Sequence, residues 1–171
     1  MNRVFVNAEE VPLPGWNGQL AAYALKAIAA IGRDNWDLSV LLCGDSTIQS
    51  LNSRYRNKDE ATDVLSFELG IEQPEDFSDN GDSSDNGAVR WLPGDIVISL
   101  ETLRENARYF NISEDEELRR LLIHGILHLD GMDHETNNDT EPMIIKQERI
   151  LKELKGEHIL PEGESSGGGN G

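Results

Sequence analysis

His124-Gly125-Ile126-Leu127-His128-Leu129-Asp130-Gly131-Met132-Asp133-His134 is the stretch around which the rest of the sequence organises. It continues a helical pattern carried by Leu118, Leu121, Leu122 and Ile126, and Ser113-Glu114-Asp115-Glu116 has the form of a capping box that opens the helix. Histidines four apart on a helix share one face, with Cβ atoms ~5–6 Å apart, so two imidazoles reach one ion. Gly131 accepts the left-handed backbone that ends a helix and turns the chain back. The turn brings His134 to the same ion from another side. Three imidazoles supply neutral nitrogen donors suited to zinc and leave a fourth position open, the arrangement of a catalytic centre. Histidines at such spacing are elsewhere often plain surface groups or satisfied core groups. Here three of the chain's four histidines fall between 124 and 134, on a mostly apolar helix around a glycine turn. His158, beside Glu157, lies outside the cluster and reads as a solvated residue.

The spacing alone coincides with that of metzincin proteases, written H-E-x-x-H-x-x-G-x-x-H. Those enzymes use the glutamate at the second position as general base. This chain has Gly125 there, which neither takes nor gives a proton. A peptide substrate is therefore not expected.

Working outward, residues 3–7 alternate as a short strand, and Trp16 to Ile31 place Leu20, Ala21, Tyr23, Ala24, Ile28 and Ala29 at helical spacing, with Gly32 ending the helix. Asp37 to Cys43 is an apolar strand. Gly44-Asp45-Ser46 breaks it and caps a second helix that runs to about Arg54. Val64-Leu65-Ser66-Phe67 reads as a buried strand, and Asp95-Ile96-Val97-Ile98 as another, followed by a helix from about Leu100 to Tyr109. A last helix begins near Thr140-Glu141-Pro142, with proline suited to its first turn, and carries Met143, Ile144, Gln147, Leu151 and Leu154. Residues 72–88, rich in Asp, Asn, Ser and Gly, read as an acidic flexible loop, and 161–171 as a disordered tail. About four strands and five helices, interspersed, predict an α+β fold: one mixed four-stranded sheet packed with helices, the metal site at a helix end and the following turn. The strand order does not follow from the pattern. A single zinc-hydrolase domain over 1–160 is expected.

A chain of 171 residues buries a core without metal or disulfide staples, so a metal site here serves function and not folding. Cys43 is the lone cysteine and ends an apolar run, which excludes an internal disulfide and predicts a buried strand-end thiol in a reducing compartment. The opening residues lack the signature of a secretory signal, and no segment is apolar enough to span a bilayer. A cytoplasmic location follows as the expectation. The net charge of −17, from 15 basic and 32 acidic side chains, argues against a nucleic-acid partner when taken alone. Its distribution softens the objection. Glu72, Glu75, Asp76, Asp79, Asp82 and Asp85 cluster without a basic residue, whereas Arg54, Arg56 and Lys58 form a small basic group.

The motif H-G-x-L-H-L-x-G-x-D-H resembles that of the YbeY family, bacterial endoribonucleases of ribosomal RNA maturation. Leu51-Asn52-Ser53-Arg54-Tyr55-Arg56-Asn57-Lys58-Asp59 with Thr62-Asp63-Val64-Leu65-Ser66-Phe67, and Gly94-Asp95-Ile96-Val97-Ile98-Ser99, are similar to further segments of that family. The likeness runs in order from about residue 37 to 155. Met132 stands where the family usually has tyrosine, Glu68 where it often has proline, and 72–88 looks like an insertion.

The resemblance implies one zinc ion per chain on His124, His128 and His134, and a functional arginine at Arg56. It also implies action on single-stranded RNA: 3′-end maturation of 16S rRNA and quality control of the small ribosomal subunit. A guanidinium, always charged and matched to two oxygens at once, suits the negative charge that builds at a phosphodiester under attack. Arg54 and Lys58 are candidates for contacts to the RNA backbone, with plain exposed charge as the alternative. Asp130 and Asp133 flank the motif as candidates to orient a ligand imidazole, and Asp63 and Ser66 as cleft residues. Ser66 has no evident histidine to activate it. Two other functions stay open on the residues alone: a zinc hydrolase of an amide or small phosphoester, and a non-catalytic ribosome assembly factor with a structural zinc.

Overall fold

The computed structural model describes residues 1–74 and 89–161. Four strands, β1 (Arg3–Ala8), β2 (Asp37–Cys43), β3 (Val64–Pro74) and β4 (Val89–Ser99), form one sheet in the order β1-β2-β4-β3. The first three neighbours run parallel, and β3 runs antiparallel to β4 at the edge. Five helices complete the fold: α1 (Asn17–Ala30), α2 (Asp45–Arg56), α3 (Leu100–Phe110), α4 (Glu114–Leu129) and α5 (Pro142–Glu153). The α+β expectation, with its mixed four-stranded sheet, holds.

Alternation along the central strands divides the apolar residues between two faces. Leu38, Val40, Leu42, Ile96 and Ile98 face the main core, while Leu41, Cys43 and Val97 face a smaller cluster with Ile48 of α2. Helix α4 runs through the main core, packed by α1, α3, α5 and the sheet, with Leu118, Leu122, Ile123, Ile126 and Leu127 almost fully buried. Ser113 caps it by accepting the Glu116 N–H at 3.0 Å, and four acidic residues in its first turn match the positive end of the helix dipole. Cys43 is buried at the end of β2, where desolvation and then the nearby Glu10 and Glu9 charges push its thiol up to about 12. No helix of the described residues is long and apolar enough to cross a membrane.

Several local expectations need correction. The stretch from Val64 is an edge strand, half-buried at 64–67, and it continues to Pro74, pairing there with Val89. Residues 72–74 are therefore strand and not loop; 75–88 lie outside the described residues, as do 162–171 of the tail. Strand β4 starts at Val89, six residues before the expected Asp95, and α2 reaches Arg56. The cap of α2 comes from elsewhere in the chain. Gly44 holds the N-cap position, and the carboxylates of Glu101 and Glu10 accept the N–H groups of Asp45 (2.9 Å) and Thr47 (2.8 Å).

His158 is not merely solvated. Its Nδ1 lies 2.9 Å from Asp115 Oδ2, and the same buried carboxylate accepts from Arg119 (2.8 Å) and from the N–H groups of Ile159 (2.7 Å) and Leu160 (2.8 Å). Asp115 thus pins the segment after α5 to the start of α4. Burial alone raises its carboxyl, but the bonds from His158, Leu160 and Ile159 and the Arg119 charge outweigh it and hold it below the ordinary value. A carboxyl so lowered stabilises the fold above the unfolded value of ~3.9 and loses that contribution as pH falls through the lowered one. Asp115→Asn is expected to cost about 3 kcal/mol at neutral pH. Urea denaturation measures it, and the gap from the parent should narrow below pH ~4.

Candidate metal centre

His124 and His128 stand one turn apart on α4 and face the same way. The helix then closes in a Schellman turn: Gly131 adopts φ +96°, its N–H bonds to the His128 carbonyl (3.0 Å), and the Met132 N–H bonds to the Leu127 carbonyl (3.0 Å). A residue with a side chain is strained at that φ, which is why glycine stands there. The reversal returns His134 to the helix. His124 Nε2 lies 3.1 Å from His128 Nε2 and 3.3 Å from His134 Nε2. Among the described residues, these three form a group whose donor atoms all lie within 4.8 Å of one another.

The partners of the outer nitrogens decide the tautomers. His134 Nδ1 is 2.7 Å from the Thr136 carbonyl, which only accepts, so the proton sits on Nδ1. His124 Nδ1 is 2.6 Å from Gln147 Oε1, and the Gln147 amide is oriented by its own donation to Glu148 Oε2 at 3.0 Å. Glu148 is in turn gripped by both arms of Arg120, at 2.9 and 3.1 Å. The Nε2 atoms of His124 and His134 therefore confront each other with bare lone pairs. Two such lone pairs repel, and a cation between them turns repulsion into coordination. Metal–nitrogen bonds of ~2.0–2.1 Å at tetrahedral angles place donors about 3.3–3.4 Å apart, so the separations of His124 from its two partners suit a tetrahedral ion. Burial lowers the pKa of His124, partly offset by the Gln147 bond; burial and then the charges of His124 and His134 lower that of His128. Both shifts favour the neutral, ligating form.

Neither flanking aspartate orients a ring. Asp130 accepts from Arg33 at 2.6 Å, and Asp133 accepts the His134 backbone N–H at 2.8 Å. The orienting groups are Gln147 and the Thr136 carbonyl, which sequence reasoning missed. Gln147 did leave a signal, as a polar residue in the apolar stripe of α5, and a buried polar group requires a partner.

Arg56, at the end of α2, lines a cleft of about 590 Å³ with Ser66, His124, His128 and Met132. Its guanidinium donates to the Ser66 carbonyl and lies over the Phe67 ring, 5.4 Å from the centroid. Arg54 goes elsewhere: it lies over Tyr55 and lines a shallow groove with Gln49 and Asp59. Lys58 is exposed past the helix end and is not among the residues of the histidine cleft. Ser66 Oγ is 3.5 Å from the Gly125 carbonyl and meets no histidine. Asp63 accepts from the Val64 N–H and from Asn106 Nδ2, on the other side of His124.

Gly125 explains itself in packing terms. A Cβ there would come within 2.9 Å of two Ile96 carbons, so α4 lies directly on β4 only because the position has no side chain. A glutamate at 125 would enter the core and not the cleft. The protease-type general base is excluded by geometry as well as by composition.

A protein-family model described as Endoribonuclease YbeY matches residues 14–155. A Treponema pallidum (strain Nichols) protein named Endoribonuclease YbeY is 43% identical over 152 residues, covering 88% of this chain and 89% of its own length. Another of that name, from Treponema denticola, is 48% identical over 125 residues, covering 73% and 75%. The solution structure of TM1509 from Thermotoga maritima superposes with a TM-score of 0.53 at 30% identity, over 90% of each chain. Fold and site thus define a hydrolytic nuclease with a histidine cluster able to hold a metal. The chain belongs to the YbeY family of endoribonucleases.

Gln147→Leu is expected to leave α5 packed and to weaken binding of a probe ion such as Co²⁺ about 10- to 100-fold, as loss of a group that orients a ligand does. Competition with a chromophoric chelator measures it. Unchanged affinity would make Gln147 a packing residue only.

Proposed function

We propose that the chain is a zinc-dependent endoribonuclease of single-stranded RNA, a single zinc-hydrolase domain over residues 1–160. Its expected work is 3′-end maturation of 16S rRNA and quality control of the small ribosomal subunit in the cytoplasm. The observation that carries this reading is the cleft that Arg56 shares with His124 and His128, two of the three histidines. The endoribonuclease names of the relatives support the substrate class, and three protein donors in place of four favour a catalytic over a structural ion.

His124, His128 and His134 would hold the ion as neutral ligands. When bound, zinc supplies a Lewis acid that lowers the pKa of coordinated water toward ~7 and polarises a phosphoryl oxygen. The Gln147 bond keeps the His124 ring turned so that Nε2 faces inward. Arg56 spends one arm on Ser66 and retains donors for the equatorial oxygens of a phosphodiester, where charge gathers in the transition state. The Phe67 ring beneath the exposed guanidinium adds a cation–π contact that helps hold it in place. Arg54 and Lys58, off the cleft, are left as contacts to more distant phosphates.

His124→Ala is expected to lose both bound zinc, read by elemental analysis, and RNA cleavage. Full activity with one zinc per chain would refute the assignment. Arg56→Ala is expected to retain zinc and lose ~10²–10³ in kcat, the scale of one transition-state donor. Assays on single-stranded RNA, a peptide and a small phosphoester, with and without chelator, separate this reading from a hydrolase of another bond. Cleavage of the peptide or ester with RNA left intact would overturn it.

A further inference from the structure

His124 belongs to two clefts, not one. It lines the Arg56 cleft with His128, and on its other side it lines, with His134, a second cleft of about 720 Å³. The trio forms the saddle between them. The second cleft lies among the end of α3, the first half of α4 and α5, and its apolar lining is Val64, Phe110, Ile112, Leu121 and Ile144. Phe110 is 60% exposed and lines the same cleft as His124 and His134, with the Tyr109 ring perpendicular to it at 5.0 Å between centroids.

The charged lining is mostly of one sign. Asp63, Glu116, Glu117 and Glu148 stand on the walls, and among the described residues Arg120 is the one cation lining the cleft. Arg120 is already committed: Glu148 takes two of its donors, and Glu116 accepts from Nη1 at 3.0 Å. Apart from an ion held on the histidine saddle, a phosphate entering this cleft would meet carboxylates and, among the described residues, no unpaired side-chain cation. The carboxylates already accept bonds, Asp63 from Val64 and Asn106, Glu116 from Arg120, and Glu148 from Arg120 and Gln147. A carboxylate keeps further lone pairs, so a neutral, flat, donor-rich group would meet acceptors on the walls and an aromatic ring beside them.

We infer that this second cleft is a subsite for an unpaired nucleobase carrying an exocyclic amino group, cytosine first, adjacent to a phosphodiester held on the Arg56 side. The inference rests on the endoribonuclease reading and adds a preference to it. Carboxylates accept from the cytosine N4 amino group, whereas the same edge of uracil presents a carbonyl oxygen that they repel. Stacking on Phe110 supplies the sequence-tolerant part of the affinity. The chain's acidity then ceases to oppose RNA binding here. Backbone is received on one side of the histidines, and bases on the other.

The test uses the zinc-loaded protein and two readouts. In nuclear magnetic resonance titrations, cytidine is expected to shift the signals of Phe110, Ile112 and Ile144 at lower concentration than uridine, and ribose 5-phosphate to leave them unmoved. In cleavage assays, single-stranded oligocytidylate is expected to be cut with a higher kcat/KM than oligouridylate of equal length. Phe110→Ala should raise KM for the former about 5- to 100-fold with little change in kcat, and Phe110→Trp should restore it. Glu117→Gln should narrow the preference for cytidine over uridine. Cytidine binding in the cleft without any RNA cleavage would keep the subsite and sink the endoribonuclease reading. RNA cleavage with no cytidine-dependent shift at Phe110, or with equal response to uridine, would overturn the subsite and leave the enzyme.

Discussion

Two imidazole lone pairs face each other across 3.3 Å, and nothing intrinsic to the side chains favours that arrangement. It persists because each ring is held from behind. The Thr136 carbonyl fixes the proton of His134, and Gln147 fixes that of His124. Gln147 is held in turn by Glu148, which is clamped by Arg120 one turn before His124 on α4. The loop of bonds leaves α4 at Arg120, crosses to α5 and returns to α4 at His124. Helix α4 carries it, laid against Ile96 of the sheet because Gly125 has no side chain. The convergence that suits a cation is thus set before any cation arrives, by packing on one side and neutral hydrogen bonds on the other. A neutral partner such as Gln147 also leaves the charge of a bound ion undiminished, whereas a carboxylate in its place would offset part of it.

The charge of the molecule is organised around the same centre. Carboxylates occupy the N-terminal end of α2 through Glu10 and Glu101, so that end of the helix is closed to an outside anion. Its other end carries Arg56 into the cleft. An overall charge of −17 therefore coexists with a guanidinium placed in the cleft beside His124 and His128.

What the sequence disclosed was what depends on neighbours along the chain. The serine half of the capping box, the i, i+4 histidines, the glycine reversal and most of the apolar stripes of α1, α4 and α5 are local and appear where the pattern placed them, although Glu116 turns to Arg120 and Ala29 lies exposed. The strand order was not legible, because parallel pairing of β1, β2 and β4 depends on contacts between distant segments. The edge position of β3 escaped for the same reason, and its extension to Pro74 is written in pairing with β4 and not in hydrophobicity. Asp130 and Asp133 were natural candidates to orient a ring on grounds of nearness in sequence; nearness in space chose Gln147, from the next helix. His158 likewise found Asp115, 43 residues away. Arg54 and Arg56, two apart on one helix, point to different grooves, as a rotation of ~200° over two residues requires.

The placement of Gln147 on the last helix has a consequence for the order in which the centre matures. A chain made from its N-terminus contains His124, His128 and His134 before it contains the group that turns the first of these rings inward. Until α5 docks, the His124 imidazole is free to rotate and its ring nitrogens are free to exchange their proton. The arrangement of the trio therefore waits on the final helix: a chain interrupted before α5 carries all three histidines but lacks the bond that orients the first.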